Sequence, residues 1–267
     1  MQLKPKALIQ GLLLTAPIAF GSTIAISPAQ AASIAGARGE LTLNQFEWTE
    51  DATSFEAITR TSTDAIAPVD ESFALAGSEA SALSEPQNVQ QSSNALALGI
   101  GTNYFATGQG FSQTGIGFDP GSGYFQFNFK ATLNLLTQAD PDANVRAHSF
   151  ASFQVYKNDD PFTFIDYLRA DLWSPTDFQL RLSDTSYMNI SLLEQREGFA
   201  EIAGTYRRKF DDGTGVTVRG FTNAEATVAR VPVPPMFAVV ILPALSWLKR
   251  RNQMKAAPQA VSDRQAD

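Results

Sequence analysis

The sequence predicts an all-β protein, an antiparallel β-sandwich with a jelly-roll-like strand order. Three observations carry this prediction: long segments in which apolar and polar residues alternate, turn sequences spaced about ten residues apart, and little helical periodicity. Regularly spaced antiparallel strands of this kind are typical of sandwiches. The predicted sandwich covers residues 32–230, between a signal peptide over 1–31 and a short hydrophobic helix near the C-terminus.

Alternation is clearest in YFQFNFKATLNLL, which predicts a long half-buried strand. The residues expected to face the core are Phe125, Phe127, Phe129, Ala131, Leu133 and Leu135. NVRAHSFASFQVYK and DFQLRLSD repeat the pattern, and GTGVTVRG and AEATVARV predict shorter strands. The turn sequences DPGSG, ADPDAN, KNDDP, SPTD and FDDGTG separate these strands, and DDG before Thr214 predicts a hairpin turn.

Residues 32–93 predict a looser part of the same domain. ELTLNQFEWTE indicates an edge strand that offers Leu41, Leu43 and Phe46 to the core. The stretch that follows is rich in Ser, Ala and Glu, and it predicts either short strands of the sandwich or a loose segment. SEPQNVQQSSN, residues 84–94, predicts an exposed loop.

The N-terminus has the pattern of a secretory signal. Lys4 and Lys6 precede an apolar stretch over 7–26, which ends in Ala29-Gln30-Ala31. Small residues at Ala29 and Ala31 suit the subsites of signal peptidase, so we expect cleavage after Ala31. The alternative is an uncleaved N-terminal anchor, because the apolar stretch is long for a signal.

The C-terminal region predicts a membrane segment. Residues 231–251 hold an apolar block from Met236 to Leu248, followed by Lys249, Arg250 and Arg251. Cations are retained on the cytoplasmic side, so the domain before them is expected outside and the polar tail 252–267 inside. The alternative is a buried C-terminal helix of a soluble protein.

Composition excludes several classes of site and partner. Between Ala32 and Arg230 there are 13 Lys+Arg and 25 Asp+Glu, a net charge of 13 − 25 = −12. This acidic surface argues against nucleic-acid binding. The chain has no cysteine and a single histidine, His148, so thiolate and multi-histidine metal sites are excluded. We expect His148 to be an ordinary strand residue.

The C-terminal cassette resembles that of bacterial PEP-CTERM proteins. The matching residues are Pro232-Val233-Pro234, the apolar block 236–248 and the cations 249–251, although Val233 stands where the family has Glu. SNALALGIGTNYFATGQG and the segment from Gly123 to Asp160 look like the ectodomains of cyanobacterial members. The resemblance implies sorting by the membrane enzyme exosortase, and it supplies no mechanism, since the family's ectodomains generally lack an assigned activity.

One acidic turn is a candidate calcium site. Asp140, Asp142 and Asn144 have the oxygen spacing that begins an EF-hand loop. Val145 replaces the glycine at the sixth position and Ala151 replaces the glutamate at the twelfth, so the EF-hand itself is excluded. Ca²⁺ held by carboxylates and carbonyls of adjacent loops stays open, and no other cofactor is expected.

No Ser-His-Asp signature, phosphate-binding loop or HExxH motif occurs, and we expect no catalysis. The leading prediction is an exported structural or adhesive protein of the cell envelope or extracellular matrix, with exopolysaccharide as a partner. A carbohydrate- or calcium-binding module is the alternative. A secreted hydrolase is the third possibility, since any sandwich with this many acids can hold a carboxylate pair.

Overall fold

The structure, a computed structural model, describes residues 32–48, 51–67, 72–140, 142–175, 177–183 and 187–230. These residues form one antiparallel sheet of ten strands and no α-helix, which confirms the predicted all-β class. The strands are β1 (Ala32–Glu47), β2 (Ala52–Ile66), β3 (Phe73–Glu85), β4 (Asn88–Ile100), β5 (Tyr104–Gln138), β6 (Asn144–Lys157), β7 (Asp160–Trp173), β8 (Asp177–Leu182), β9 (Met188–Arg196) and β10 (Phe199–Arg230).

Two long strands run through the whole sheet. The strand order is β3-β4-β1-β5-β10-β6-β7-β8, with β2 also paired to β5 and β9 to β10. β5 pairs with β10 from Tyr104 opposite Arg230 to Asn134 opposite Phe199. Each end of these two strands has its own outer neighbours. Half A comprises β3, β4, β1, β9 and residues 126–138 and 199–210, and half B comprises β2, β6, β7, β8 and residues 105–118 and 216–230.

The halves meet where the sequence predicted two turns. DPGSG and FDDGTG are irregularities inside β5 and β10, so the predicted break between strands at each point, including the hairpin turn at DDG, is wrong. Gly123 (φ 102°) and Gly213 (φ 79°) take left-handed conformations there. Gly123 lies opposite Phe210, and the register shifts between Phe210 and Thr214. Because the irregularities face each other, the two strands stay paired across them.

Aromatic rings in the core join the two halves. The six residues expected to face the core from Phe125 to Leu135 are all buried, as the alternation predicted. Phe127 and Phe129 of half A lie 5.2 and 5.1 Å, ring centre to ring centre, from Phe153 of half B. Burying each such ring contributes about 1.5–3 kcal/mol. These contacts hold together strands that are not neighbours in the sheet.

β1 is a central strand, so its predicted edge position is wrong. It lies between β4 and β5, with Ala35 opposite both Ala97 and Thr137. Its core residues Leu41, Leu43 and Phe46 are buried, as predicted. The edge prediction failed because the alternation pattern predicts β5, the neighbour of β1 on one side, but gives no clear signal for β4, its neighbour on the other side.

β3 and β4 form a hairpin, so the strand alternative is confirmed for this part of the Ser-, Ala- and Glu-rich stretch, while the exposed loop predicted over residues 84–94 is wrong. The turn is confined to Pro86-Gln87, and Gln91 and Ser93 are buried in β4. A Cβ added to Gly108 would lie 2.5 Å from the carbonyl oxygen of Gly77. Small residues therefore let β5 approach β3 and β4 closely, and hydropathy alone does not reveal such packing.

Candidate ligand-binding face

The outward side of half B carries an ordered set of aromatic and polar residues, which we name the aromatic face. Directly opposed residues on adjacent strands share one side of a sheet. One row runs Ser62, Gln109, Glu225, His148, Trp173 across five strands. The next row runs Arg60, Phe111, Asn223, Phe150, Asp171.

Trp173 is the most prominent aromatic residue of this face. It ends β7 and is 43% exposed. Its ring stacks on the ring of His148, with the centroids 3.5 Å apart and the planes 8° from parallel. Because His148 covers one side of the indole, the solvent-exposed part of the ring includes its other side. A ligand can therefore stack on a ring whose orientation is already fixed.

A buried ion network holds His148 in place. Nε2 of His148 lies 3.1 Å from Oδ1 of Asp171, which is itself buried. Arg169 donates to both oxygens of Asp171 at 2.8 Å, and its guanidinium lies 4.0 Å from the centre of the Phe150 ring. Burial raises the pKa of Asp171, but the hydrogen bonds from His148 and Arg169 and the charge of Arg169 outweigh it and hold that pKa at about 2. Asp171 is therefore a carboxylate at neutral pH.

Hydrogen-bonding groups lie on the side of His148 that faces away from Trp173. The Glu225 side chain is 47% exposed. Its Oε1 accepts hydrogen bonds from Asn223 Nδ2 at 2.8 Å and from Gln109 Nε2 at 3.1 Å. Carboxylate and amide groups each have further lone pairs or protons available for a bound ligand. The face thus combines one free ring surface with fixed polar groups.

His148 has a larger structural role than the sequence predicted. Period-two alternation places it on the same side of β6 as Phe150, but the register with β7 that brings it to Asp171 and Trp173 is not encoded in that pattern. Its Nδ1 lies 4.0 Å from Oε2 of Glu225, so both ring nitrogens face carboxylates.

The structure gives one of the predicted calcium residues, Asp140, a cationic partner. The carboxylate of Asp140 lies 3.8 Å from Nη1 of Arg230, and Asp142 has a φ of 70°. Across the described part of the chain, no three or more His, Cys, Asp or Glu side chains lie together as a metal site would need. The calcium site at Asp140, Asp142 and Asn144 stays a prediction.

Asp160 and Asn158 stabilise the turn between β6 and β7. Oδ1 of Asp160 accepts hydrogen bonds from the backbone N–H groups of Phe162 and Thr163, both at 3.2 Å. Asn158 donates to the carbonyl oxygen of Phe118 at 2.9 Å and accepts from Thr217 at 2.6 Å. These bonds are the ordinary role of Asp and Asn in turns.

The residues of the sorting prediction lie outside the described residues. They are Ala29 and Ala31 of the cleavage site, Pro232, Val233 and Pro234 of the motif, and Lys249, Arg250 and Arg251 after the apolar block. Within the described ranges, no helix has the length and apolar character needed to cross a membrane. A scan against protein-family models gives no match, and a search of curated proteins finds no significant relative.

Proposed function

We propose that this chain is an exported, non-catalytic adhesive protein of the cell envelope or extracellular matrix, and that its aromatic face binds a neutral polysaccharide. The observation that carries the proposal is the exposed ring of Trp173, stacked on a histidine that is held by a buried ion network. This proposal combines two functions predicted from the sequence, that of an adhesive envelope protein and that of a carbohydrate-binding module.

The chemistry of the face suits sugars. One side of a pyranose ring presents C–H groups that pack on an aromatic ring, while its hydroxyls exchange hydrogen bonds with planar side chains such as Glu225 and Gln109. A ring fixed before binding loses little side-chain entropy when the ligand arrives. His148 and Asp171 supply that fixation for Trp173.

Charge favours a neutral ligand. Glu225 lies in the same row two strands from Trp173, beyond His148, and Asp177 is the residue directly opposite Trp173 on β8. The domain as a whole has a net charge of −12 from 13 cations and 25 acids between Ala32 and Arg230. Acidic polysaccharides are repelled by such a surface, whereas uncharged chains are not.

The proposed architecture is a β-sandwich whose two layers are half A and half B. Its support is the set of contacts between strands that do not pair. A Cβ added to Gly39 of β1 would lie 2.8 Å from Oγ of Ser149 on β6, and Ser149 Oγ donates to the carbonyl oxygen of Arg38 at 2.8 Å. The jelly-roll-like strand order stays a prediction within this architecture.

The proposed route to the cell surface rests on the terminal segments. Signal peptidase would cleave after Ala31, and the apolar block 236–248 would hold the chain in the membrane until an exosortase-like enzyme acts at the Pro232-Val233-Pro234 motif. Its support is the order of charges and apolar residues in these segments. The exported domain would then meet exopolysaccharide.

A direct test compares Trp173→Ala with the wild-type chain. Binding of the purified full chain to neutral glucan, mannan and xylan and to acidic alginate is measured by affinity electrophoresis. We expect at least one neutral polysaccharide to bind, and we expect Trp173→Ala to weaken that binding tenfold or more, about 1.4 kcal/mol. Phe162→Ala is the matched control, since Phe162 lies on the same strand and is 93% exposed.

Two outcomes would refute the proposal for the aromatic face. One is equal loss of binding in Trp173→Ala and Phe162→Ala, which would locate the site elsewhere. The other is preferential binding of alginate, which would contradict the charge argument.

A second test addresses export. Cells with an exosortase express the wild type, Val233→Glu and a truncation at Arg230, and the membrane, periplasmic and secreted fractions are compared. We expect the truncation to leave the membrane fraction, and Val233→Glu to increase the secreted share because it restores the family's motif. Retention of the truncation in the membrane fraction would contradict the proposed anchor.

A further inference from the structure

The outward side of half A carries an aliphatic patch. Cross-strand pairing puts Leu75, Leu98 and Ile34 in one row, and Leu96 and Leu136 in the adjacent row beside glycines. The alternate residues of these strands, such as Ala35 and Ala97, are buried in the core, so the patch is on the other side. Its rim and surface residues are Phe73, Leu75, Leu96, Leu98, Ile100 and Leu136.

These residues form a contiguous apolar surface on a side of the sheet that otherwise carries polar residues. Leu136 is 40% exposed, Ile34 at the centre is buried, and the others are half-buried. Contiguous apolar patches on exported domains mark contact surfaces rather than ordinary exposure. The remaining outward positions of β5 in half A are polar: Gln126, Asn128, Lys130, Thr132 and Asn134.

The patch lies at the end of the domain where the chain enters and leaves. Ala32, the first described residue, pairs with Ile100 of the patch. Arg230, the last residue of β10, donates from Nη1 to the carbonyl oxygen of Gly101 at 3.2 Å, one residue beyond Ile100. Both continuations of the chain therefore start beside the patch.

The tether from this end to the apolar block is short. Only residues 231–235 separate Arg230 from Met236, and three of the five are proline. Five residues reach at most about 18 Å. A domain tethered to a bilayer by this length keeps the end that bears the patch close to the headgroups.

We propose that the aliphatic patch rests on the lipid surface when the C-terminal block is in the membrane. This inference depends on the membrane retention proposed above. The partner is the interface of a zwitterionic bilayer, because Glu79 lies in the row next to the patch, Arg38 of that row is paired with Glu40 of the following row, and the domain as a whole is acidic. Contact with lipid would orient the aromatic face relative to the membrane.

The absence of cysteine allows a clean test. The full chain is prepared with one introduced cysteine at a time, Leu136→Cys, Tyr124→Cys or Val240→Cys, and each is labelled with the polarity-sensitive fluorophore NBD. Tyr124 is the matched control: it lies on the same strand and the same side as Leu136, is 55% exposed, and is about 40 Å away along β5.

The labelled chains are reconstituted into phosphatidylcholine vesicles with and without a spin-labelled lipid that quenches fluorescence near the headgroups. We expect the probe at Leu136 to lose at least half of its emission and the probe at Tyr124 to lose almost none. The probe at Val240 reports on the anchor itself. In vesicles with half phosphatidylglycerol we expect weaker quenching at Leu136.

Each alternative result overturns a different statement. Quenching at Val240 but not at Leu136 would refute the lipid contact and leave the anchor intact. No quenching at Val240 would refute the membrane retention on which the inference depends. A blue-shifted probe at Leu136 that lipid does not quench would mean that protein covers the patch, either a second copy or another part of the chain.

Discussion

Strand β7 carries two buried aspartates, Asp166 and Asp171, on opposite sides of the sheet, and the two differ in what they hold. Each is paired with an arginine, and each accepts several hydrogen bonds. Asp171 binds residues of β7 and its neighbour β6 and supports a ring on the surface. Asp166 binds Tyr206 and Arg208 of β10, a strand that does not pair with β7, besides Ser183 just after β8, and it lies against the core.

The Asp166 cluster joins half B to half A. Its Oδ2 accepts from the hydroxyl of Tyr206 at 2.7 Å and from Nη1 of Arg208 at 2.6 Å, both on the half A part of β10. Its Oδ1 accepts from Ser183 at 3.1 Å. Burial, and then the charge of Asp166, raises the pKa of Tyr206 far above its usual value, so the hydroxyl remains a donor.

The comparison separates two uses of one kind of buried ion pair. A carboxylate that binds only residues of adjacent strands fixes no arrangement of strands beyond that of the sheet. At Asp171 it orients His148 beneath Trp173. A carboxylate bound by a distant strand fixes how the halves pack. We therefore expect mutations at Asp166 to cause the largest loss of stability. Mutations around Asp171 should weaken ligand binding, whereas mutations at Asp166 should not.

The largest expected effect is that of Asp166→Ala. It leaves the buried hydroxyl of Tyr206 without its acceptor and Arg208 without its partner, so the free energy of unfolding should fall by about 3 kcal/mol or more. Urea unfolding followed by far-UV circular dichroism measures this loss. Polysaccharide affinity, corrected for the folded fraction, should be unchanged. A loss below about 1 kcal/mol would remove the distinction between the two aspartates.

The sequence predicts the side that faces the core for the strands with clear alternation, such as β5, but it does not predict these clusters. Alternation assigned Phe125 to Leu135 to the core because side chains alternate along any strand. Asp166 and Asp171 give no signal in the sequence, since His148 and Arg208 lie 23 and 42 residues away from them and depend on strand register. For β3 the sequence leaves strands and a loose segment open, and for the start of β4 it predicts a loop, because the inward residues of both strands are small or polar. The bends were mistaken for turns because the same glycines and aspartates serve both.

A smaller effect is expected for Asp171→Asn, and it depends on pH. The folded-state pKa of about 2 lies below the ordinary value of 3.8, so Asp171 stabilises the fold above about pH 4, and this contribution is lost as the pH falls towards 2. A difference of nearly two pH units corresponds to roughly 2 kcal/mol. Wild type should be more stable than Asp171→Asn by about this amount at pH 7, and the two should converge near pH 2.

Unfolding midpoints of both proteins from pH 7 to pH 2 measure this convergence. Asp212→Asn is the control, since Asp212 is exposed at the bend of β10. The same Asp171→Asn variant should bind the neutral polysaccharide several-fold more weakly, because His148 is less firmly held. A constant stability difference across the whole pH range would contradict the role of the ionised carboxylate.

Tyr206→Phe should lower the free energy of unfolding by less than Asp171→Asn does. It removes one hydroxyl from the core while Arg208 and Ser183 continue to bind Asp166, so the expected loss is about 1 kcal/mol. Chemical denaturation measures it, and polysaccharide affinity should stay at the wild-type value. A binding defect in this variant would show that the two clusters are coupled.

The smallest effect on stability is expected for Trp173→Ala, the variant with the largest effect on binding. Nearly half of the indole is exposed and its buried side contacts one ring, so the free energy of unfolding should change by only about 0.5–1 kcal/mol. Thermal denaturation beside the binding assay measures both quantities. A loss as large as that of Asp166→Ala would mean that Trp173 is a structural residue.

The long ladder between β5 and β10 has a consequence for the order of folding events. Its terminal pair joins Tyr104 to Arg230, and β6, β7, β8 and β9 all lie between these strands in the chain. Neither half can be completed before the last strand has been synthesised, and such non-local pairing makes folding slow, on the scale of milliseconds to seconds. The export proposed for this chain suits such a folding order, because a polypeptide passes through a translocation channel in an extended state.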